Sequence, residues 1–136
     1  MKIKKLTKDI LIDYYFFASD LYEKSDYSAA IKAFACLIIN QPLKFPFWFG
    51  LAASLQAYND PEKSLKAWII CAILDDDNPY VHFHAAECLY ILSDNEQTER
   101  ALNEAIKRTH NDKYLLMKIN SLKEHLSIKK DIKIKC

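Results

Sequence analysis

The sequence predicts an all-α protein, a tetratricopeptide-repeat superhelix of three helix hairpins plus a C-terminal capping helix. Three observations indicate this fold. The 136 residues include one glycine and four prolines, too few turn formers for an all-β chain of this length. Hydrophobic residues make up 51% of the chain, enough to build a packed core. The chain also resembles itself at a shift of 34 residues, which is the tetratricopeptide period.

The internal repeat is visible as columns of matching residue types. The register places repeats at about residues 11–44, 45–78 and 79–112 of a single domain that spans 1–136. Two columns hold small residues, three hold mostly large ones and one holds turn formers. They are Ala18/Ala52/Ala86, Ala30/Ser64/Thr98, Tyr14/Trp48/His82, Leu21/Leu55/Leu89, Phe34/Trp68/Leu102 and Ser25/Asn59/Ser93. Because antiparallel helices approach closely only past small side chains, the small columns predict the contact points of three hairpins.

Short polar turns and prolines predict where the helices begin and end. Within the repeats, the turns also supply N-caps for the second helix of each hairpin. These turns are Lys24-Ser25-Asp26, Asn59-Asp60-Pro61 and Ser93-Asp94-Asn95. Pro61 falls at the start of a helix, where a missing N–H costs little. Pro42 and Pro79 lie between repeats, where helices should end.

A seventh helix is predicted over about residues 112–128, with Asn111 and Asp112 as capping residues. Its apolar residues form one stripe, and its opposite face is rich in lysine. The stripe consists of Leu115, Ile119, Leu122 and Leu126. Such a helix would shield the open end of the last repeat. A basic tail, residues 129–136, follows it, and the sequence assigns that tail no function.

Composition and charge argue against several classes of protein. A net charge of +1 gives no basic surface of the kind that nucleic-acid binding requires. The longest apolar run, residues 67–74, is too short to cross a membrane, and acidic residues interrupt the lysine-rich N-terminus. Cys36, Cys71, Cys88 and Cys136 contain no CxxC pair and predict reduced thiols, three of them buried and one terminal. We therefore expect a cytoplasmic protein that does not insert stably into membranes.

The sequence offers little support for an enzyme. His84, Glu87 and Cys88 are spaced along one face of a helix, but no further Cys/His pair completes a metal site. A packed histidine and a buried thiol are the simpler interpretation. Nothing marks a base for a cysteine nucleophile, and Gly50 alone cannot build a phosphate loop. We expect no catalytic residue, no metal and no cofactor.

The inner face of the first helix in each hairpin predicts a binding groove. Five aromatic residues recur there, together with small and polar ones, at positions that hairpin packing does not need. They are Tyr15, Ser19 and Tyr22, then Phe49, Ala53 and Gln56, then Phe83, Glu87 and Tyr90. Aromatic rings supply large contact area at low entropic cost, so this face suits an extended peptide. The alternative is that the rings fill a loosely packed groove or pack on a folded-back N-terminal segment.

Three stretches resemble the class II type III secretion chaperones of Gram-negative bacteria. The most specific is Asn78-Pro-Tyr-Val-His-Phe-His-Ala-Ala-Glu-Cys-Leu89, followed by Phe49-Gly-Leu-Ala-Ala53 and by Leu21-Tyr22 through Asp26-Tyr27. The resemblance covers about residues 9–128. It implies a cytoplasmic chaperone whose groove holds an extended, proline-spaced segment of a translocator (pore-forming) subunit, keeping it soluble and export-competent.

The resemblance also implies functional residues. By position, Tyr15, Tyr22 and Tyr27 match first-repeat tyrosines implicated in client binding, whereas Phe49 and Phe83 correspond less closely. Only ten residues precede the first repeat, where the family usually has a dimerisation helix, so a homodimer stays open. Two other functions fit the sequence: a generic tetratricopeptide scaffold for protein–protein interaction, and a secretion regulator that uses the same fold.

Overall fold

The computed structural model describes residues 7–135, which form seven α-helices and no strand. The helices are α1 (Lys8–Glu23), α2 (Tyr27–Asn40), α3 (Phe45–Ala57), α4 (Pro61–Leu74), α5 (Pro79–Ile91), α6 (Asn95–Lys107) and α7 (Lys113–Lys135). The first six pack as three consecutive hairpins, and α7 lies against α5 and α6. The predicted all-α fold of three hairpins and a capping helix is confirmed.

The turn inside each hairpin has the same geometry. The residue of the turn-former column adopts a left-handed backbone, with φ of 63° at Ser25, 69° at Asn59 and 62° at Ser93. In the first hairpin, the N–H of Ser25 donates to the carbonyl of Tyr22, and the next N–H donates to the carbonyl of Leu21. This pair of bonds is a Schellman motif, which satisfies the last carbonyls of the first helix.

An aspartate after each left-handed residue begins the second helix. Asp26 Oδ1 accepts a hydrogen bond from the N–H of Ala29 at 3.3 Å. Asp60 and Asp94 cap α4 and α6 in the same way. The turn formers and N-caps predicted from the sequence therefore act together, since one residue ends a helix and the next starts its partner.

The small columns lie at the hairpin contacts. All six of their side chains are fully buried: Ala18, Ala52, Ala86, Ala30, Ser64 and Thr98. Ser64 Oγ donates to the carbonyl of Ala52 at 2.8 Å and so joins α4 directly to α3. Phe34, Trp68 and Leu102 are also buried, and they fill the space around these contacts. The core therefore runs as a series of clusters from the first hairpin to the capping helix.

Helix α7 is longer than the sequence predicted. Leu115, Ile119 and Leu126 are buried as expected, but the helix continues past residue 128 to Lys135. No glycine or proline interrupts this part of the chain, and Lys129 and Lys130 both bond to the third hairpin. The part of the predicted tail that the structure describes is therefore helical, while residue 136 lies outside the described residues.

The thiols differ from the prediction in one respect. Cys71 and Cys88 are buried, whereas Cys36 is partly exposed, because the side of α2 on which it lies is only half covered. Cys136 lies outside the described residues. Between residues 7 and 135, no helix combines the length and apolar character that a membrane crossing requires.

Candidate peptide-binding groove

Helices α1 and α3 enclose an apolar cavity of about 520 Å³. Five of the predicted binding residues line it: Tyr15, Ser19, Tyr22, Phe49 and Ala53. Gly50 presents no side chain and so leaves room for the ring of Phe34, and both residues line the cavity. The residues chosen by their position in the repeat are thus brought together on one surface. Their role in binding stays a prediction.

The tyrosines are held in place by other rings. Tyr15 packs edge-on against Phe34, with ring centroids 6.1 Å apart, and against Phe47 at 5.7 Å. Tyr22 contacts Tyr27 at 5.5 Å. Tyr27 is absent from the residues that line the cavity, so it supports Tyr22 from behind. Tyr15 has two roles, since it lines the groove and also packs on the core of the first hairpin.

A second, smaller cavity of about 270 Å³ lies between α3 and α5. Tyr22, Phe49 and Ala53 line this cavity as well as the first one. Because the two cavities share these residues, they form one continuous groove from the first hairpin to the third. The predicted residue Gln56 lies in this second part, together with Trp68 and His84.

A polar network lies in the second part of the groove. Trp68 Nε1 donates to Gln56 Oε1 at 2.9 Å, and Gln56 Nε2 donates to Glu87 Oε1 at 3.1 Å. His84 Nδ1 lies 2.6 Å from the same carboxylate oxygen. The indole N–H can only donate, so it fixes the orientation of the Gln56 amide. The network links the second hairpin to the third at the floor of the groove.

The carboxylate of Glu87 is ionised in this network. Burial acts to raise the pKa of Glu87, but the hydrogen bond and charge of His84, with the amide of Gln56 and the charge of Lys118, outweigh it. The net effect is a pKa below the ordinary value. An ionised carboxylate only accepts hydrogen bonds, so the Nδ1 of His84 carries a proton and donates it.

The third hairpin presents less of its predicted surface. Phe83 is only 4% exposed and packs in the core with Leu102 and Ile119. Helix α7 covers Phe83, whereas the residue at the same position of the second repeat, Phe49, remains partly exposed. Glu87 and Tyr90 remain half-buried and line a cavity of about 350 Å³ between α5 and α7. Phe83 therefore adds little surface to the groove.

Sequence reasoning missed two residues of the groove. It assigns Trp68 only to hairpin packing, and His84 only to packing or a metal site. The spacing of His84 and Glu87, three positions apart on a helix, was a usable signal that their side chains pair. Within residues 7–135, no cluster of His, Cys, Asp and Glu side chains is suited to hold a metal ion.

Comparison with known proteins gives a consistent set of relatives, although no family model matches the sequence. Low calcium response locus protein H of Yersinia pestis is 28% identical over 137 residues, covering 98% of this chain and 82% of the relative. A chain of the CopN–Scc3 complex is 30% identical, with a TM-score of 0.76, and the match covers 90% of this chain and 69% of that one.

The fold is also that of solved translocator chaperones. The type III secretion translocator chaperone SycD of Yersinia enterocolitica superimposes with a TM-score of 0.87 at 28% identity, over 93% of this chain and 89% of SycD. SycD has also been solved in complex with a peptide of the translocator YopD, and that structure matches equally well, with a TM-score of 0.87 at 28% identity and coverage of 93% and 99%.

Proposed function

Since this chain belongs to the family of type III secretion translocator chaperones, we propose that its groove binds an extended segment of a translocator (pore-forming) protein. Binding keeps that protein soluble and competent for export. The observation that carries the proposal is the groove, apolar in its first cavity and partly polar in its second, which runs from Tyr15 in the first hairpin to His84 in the third.

The shape of the groove favours an extended ligand. Two cavities joined through Tyr22, Phe49 and Ala53 follow the stacking direction of the hairpins, whereas a small molecule would need one compact pocket. A proline-spaced segment suits such a groove because it has little conformational entropy left to lose. The separate cavities can each receive one apolar side chain of that segment.

The rings of the groove are positioned before any ligand arrives. Tyr15 is held by Phe34 and Phe47, and Phe49 packs edge-on against Trp68 with centroids 4.9 Å apart. Side chains that are already ordered lose little rotamer freedom on binding. The groove can therefore bind apolar side chains tightly without a change of fold.

In this function the protein acts in the cytoplasm of a Gram-negative bacterium, before the translocator is exported. The unpaired thiols Cys71 and Cys88 fit a reducing compartment. The task requires binding and release and no catalytic step.

Co-expression tests the function directly. The full chain is produced together with the large apolar translocator of the same bacterium, and the soluble fraction is purified through a tag on the chaperone. We expect the translocator to become soluble and to co-purify at a fixed ratio. A translocator that stays insoluble and absent from the complex would overturn the proposal. If two other folded proteins co-purify with the chaperone and no translocator does, the result would instead support the scaffold function.

A further inference from the structure

The carboxylate of Glu87 has unused capacity to accept hydrogen bonds. Both of its donors, Gln56 Nε2 and His84 Nδ1, converge on Oε1. No hydrogen bond or ion pair among the described residues ends at Oε2. The side chain is 33% exposed and bonds to Gln56 and His84, which line the second cavity, so a ligand that extends past this cavity can reach the carboxylate. An ionised carboxylate with a free oxygen attracts a cationic donor.

Aromatic rings surround the imidazole of His84, which bonds to this carboxylate. The ring of His84 stacks between Trp68, at a centroid distance of 4.9 Å, and Phe83, at 5.6 Å. Phe49 lies edge-on to Trp68 and 6.4 Å from His84. Of these rings, Phe49 and His84 are partly exposed. Aromatic faces attract ammonium and guanidinium groups, and more strongly where water is partly excluded.

The charges near the groove leave the carboxylate available. Glu23 lines the first cavity, and Glu87 lines the cavity between α5 and α7. His84 bonds to Oε1 only, and Lys118 of α7 has its Nζ over the ring of Tyr114 at 5.1 Å. Across residues 7–135, no ion pair joins Lys118 to Glu87, although the two line the same cavity. His125 also lines that cavity and hydrogen-bonds to the carbonyl of Ser121.

We propose that Glu87 forms a subsite for a cationic side chain, lysine or arginine, of the segment bound in the groove. The proposal rests on the proposed function and makes its ligand more specific. The segment combines an apolar residue, which enters the cavity lined by Tyr15 and Tyr22, with a basic residue that reaches Glu87. Gln56 and His84 are positioning residues, because they hold the carboxylate and do not themselves contact the cation.

The subsite also explains how an aromatic groove can be selective. Apolar pockets distinguish poorly between side chains of similar size, whereas a fixed carboxylate accepts a cation and repels an acidic residue. An acidic side chain at the same place would leave two negative charges close together in a partly buried site. Glu87 therefore favours clients with a basic residue at this place and disfavours clients with an acidic one.

Phage display of random dodecapeptides on the full chain tests the subsite without knowledge of the client. We expect peptides selected on the wild-type protein to be enriched in lysine or arginine together with large apolar residues. Selection on Glu87→Gln should keep the apolar preference and lose the basic one. The amide introduced by this substitution retains an oxygen that can accept from Gln56 and His84, so the network and the fold are preserved.

Fluorescence anisotropy of a selected arginine peptide and its citrulline analogue then measures the effect. Replacing the arginine should weaken binding about tenfold in the wild-type protein, as expected for a charge-assisted hydrogen bond, and less than about twofold in Glu87→Gln. Added salt should weaken binding of the arginine peptide and not of the citrulline peptide. This comparison uses the wild-type protein, so it tests the subsite even if the variant does not fold.

The outcomes separate the two proposals. Apolar peptides without basic enrichment, or equal affinities for the arginine and citrulline peptides, overturn the cation subsite and leave the chaperone groove standing. Failure to select any peptide overturns the subsite and the groove together. Basic enrichment in a protein that does not solubilise a translocator would support the subsite and contradict the proposed client.

Discussion

The ring of Phe34 occupies the space that a side chain at residue 50 would need. A Cβ added to Gly50 would clash with three atoms of that ring. Gly50 has no positive φ, so its role is packing and not backbone conformation. The close approach brings α3 against α2 and forms the back wall of the first cavity, which both residues line. The single glycine of the chain therefore shapes the groove.

Replacing Gly50 with alanine should destabilise the protein. Alanine has the higher helix propensity by about 1 kcal/mol, but overpacking against a buried ring typically costs about 1–3 kcal/mol, so we expect a net loss of roughly 1 kcal/mol. Urea unfolding followed by far-UV circular dichroism measures it. Ser127→Ala, at an exposed position of α7, is the control and should change stability little. The double variant Gly50→Ala/Phe34→Leu should recover part of the loss, and an unchanged stability of Gly50→Ala would contradict the packing role.

The contact between Ser64 and Ala52 limits the size of residue 64. Ser64→Ala removes one buried hydrogen bond and should lower the free energy of unfolding by about 1 kcal/mol. Ser64→Leu must also separate α3 from α4 and should lower it by more than about 2 kcal/mol. Thermal and urea unfolding of both variants measure the difference. Ser121→Leu, on the exposed face of α7, is the matched control. If Ser64→Leu and Ser121→Leu lower the free energy of unfolding equally, α3 and α4 do not approach closely at residue 64.

These two contacts illustrate what the sequence could predict. A repeat of fixed period places equivalent residues at equivalent contacts, so the columns of Ser64 and Ala18 identified the hairpins without knowledge of the structure. The residue types of the first turn likewise identified Asp26 as the N-cap of α2. Such features depend on neighbours within one repeat or at a fixed spacing, and periodicity is enough to find them.

The rest depended on contacts that periodicity does not encode. Phe83 occupies the same column as Phe49, but α7 follows the third hairpin and buries it, whereas another repeat follows the second. The hydrogen bonds from Trp68 of α4 to Gln56 of α3, and from Gln56 to Glu87 of α5, arise from side-chain directions in three dimensions. The helical state of residues 129–135 likewise follows from lysine contacts with the third hairpin, which composition alone does not reveal.

Tyr22 is the better of the two first-hairpin tyrosines for testing the groove. It lines both cavities, whereas Tyr15 lines one, so Tyr22→Ala should weaken peptide binding about tenfold or more. Because its ring also packs on Tyr27 and on the core of the first hairpin, the variant should lose some stability as well. Anisotropy titration with a phage-selected peptide measures the affinity. Tyr58→Ala, at an exposed tyrosine outside the groove, should bind like the wild type. Equal affinities of the two variants would contradict the groove assignment.

Tyr15→Ala should affect both binding and stability. Its ring packs on Phe34 and Phe47, and loss of such aromatic contacts in a half-buried site destabilises by about 1–3 kcal/mol. We therefore expect weaker peptide binding together with a lower urea midpoint. Tyr15→Phe keeps the ring and should restore the stability. A variant that unfolds like the wild type would show that the ring is not part of the core.

The buried thiol of Cys71 should make stability fall in alkaline solution. Burial raises the pKa of Cys71 from the ordinary 9.0 to about 12. Between these values the unfolded thiol loses its proton while the native thiol keeps it, so the unfolded state is favoured as pH rises. The contribution is a loss of about 1.4 kcal/mol per pH unit in that range, and none below about pH 8.

Comparison with Cys71→Ala isolates this effect from other groups that titrate at high pH. The variant loses some stability at every pH because it leaves a small cavity, but the wild type should lose its advantage steadily above about pH 9. Urea unfolding at a series of pH values gives the difference. A constant difference between the two proteins across the series would show that the native thiol titrates normally.

Lys129 should hold the end of α7 on the third hairpin. Its Nζ lies 4.4 Å from the ring centroid of Tyr90, donates to the carbonyl of that residue at 2.9 Å and lies 3.3 Å from Ser93 Oγ. A lysine that donates to one of the last carbonyls of α5 and contacts an aromatic face contributes about 0.5–2 kcal/mol locally. Lys129→Ala should therefore increase amide hydrogen exchange in residues 126–135 by roughly threefold to tenfold, while the core of α3 exchanges as before.

Lys133→Ala removes an exposed lysine from the same helix and serves as the control. Because only Lys129 has this pair of bonds among the described lysines of α7, equal exchange in the two variants would mean that these bonds do not hold the end of α7.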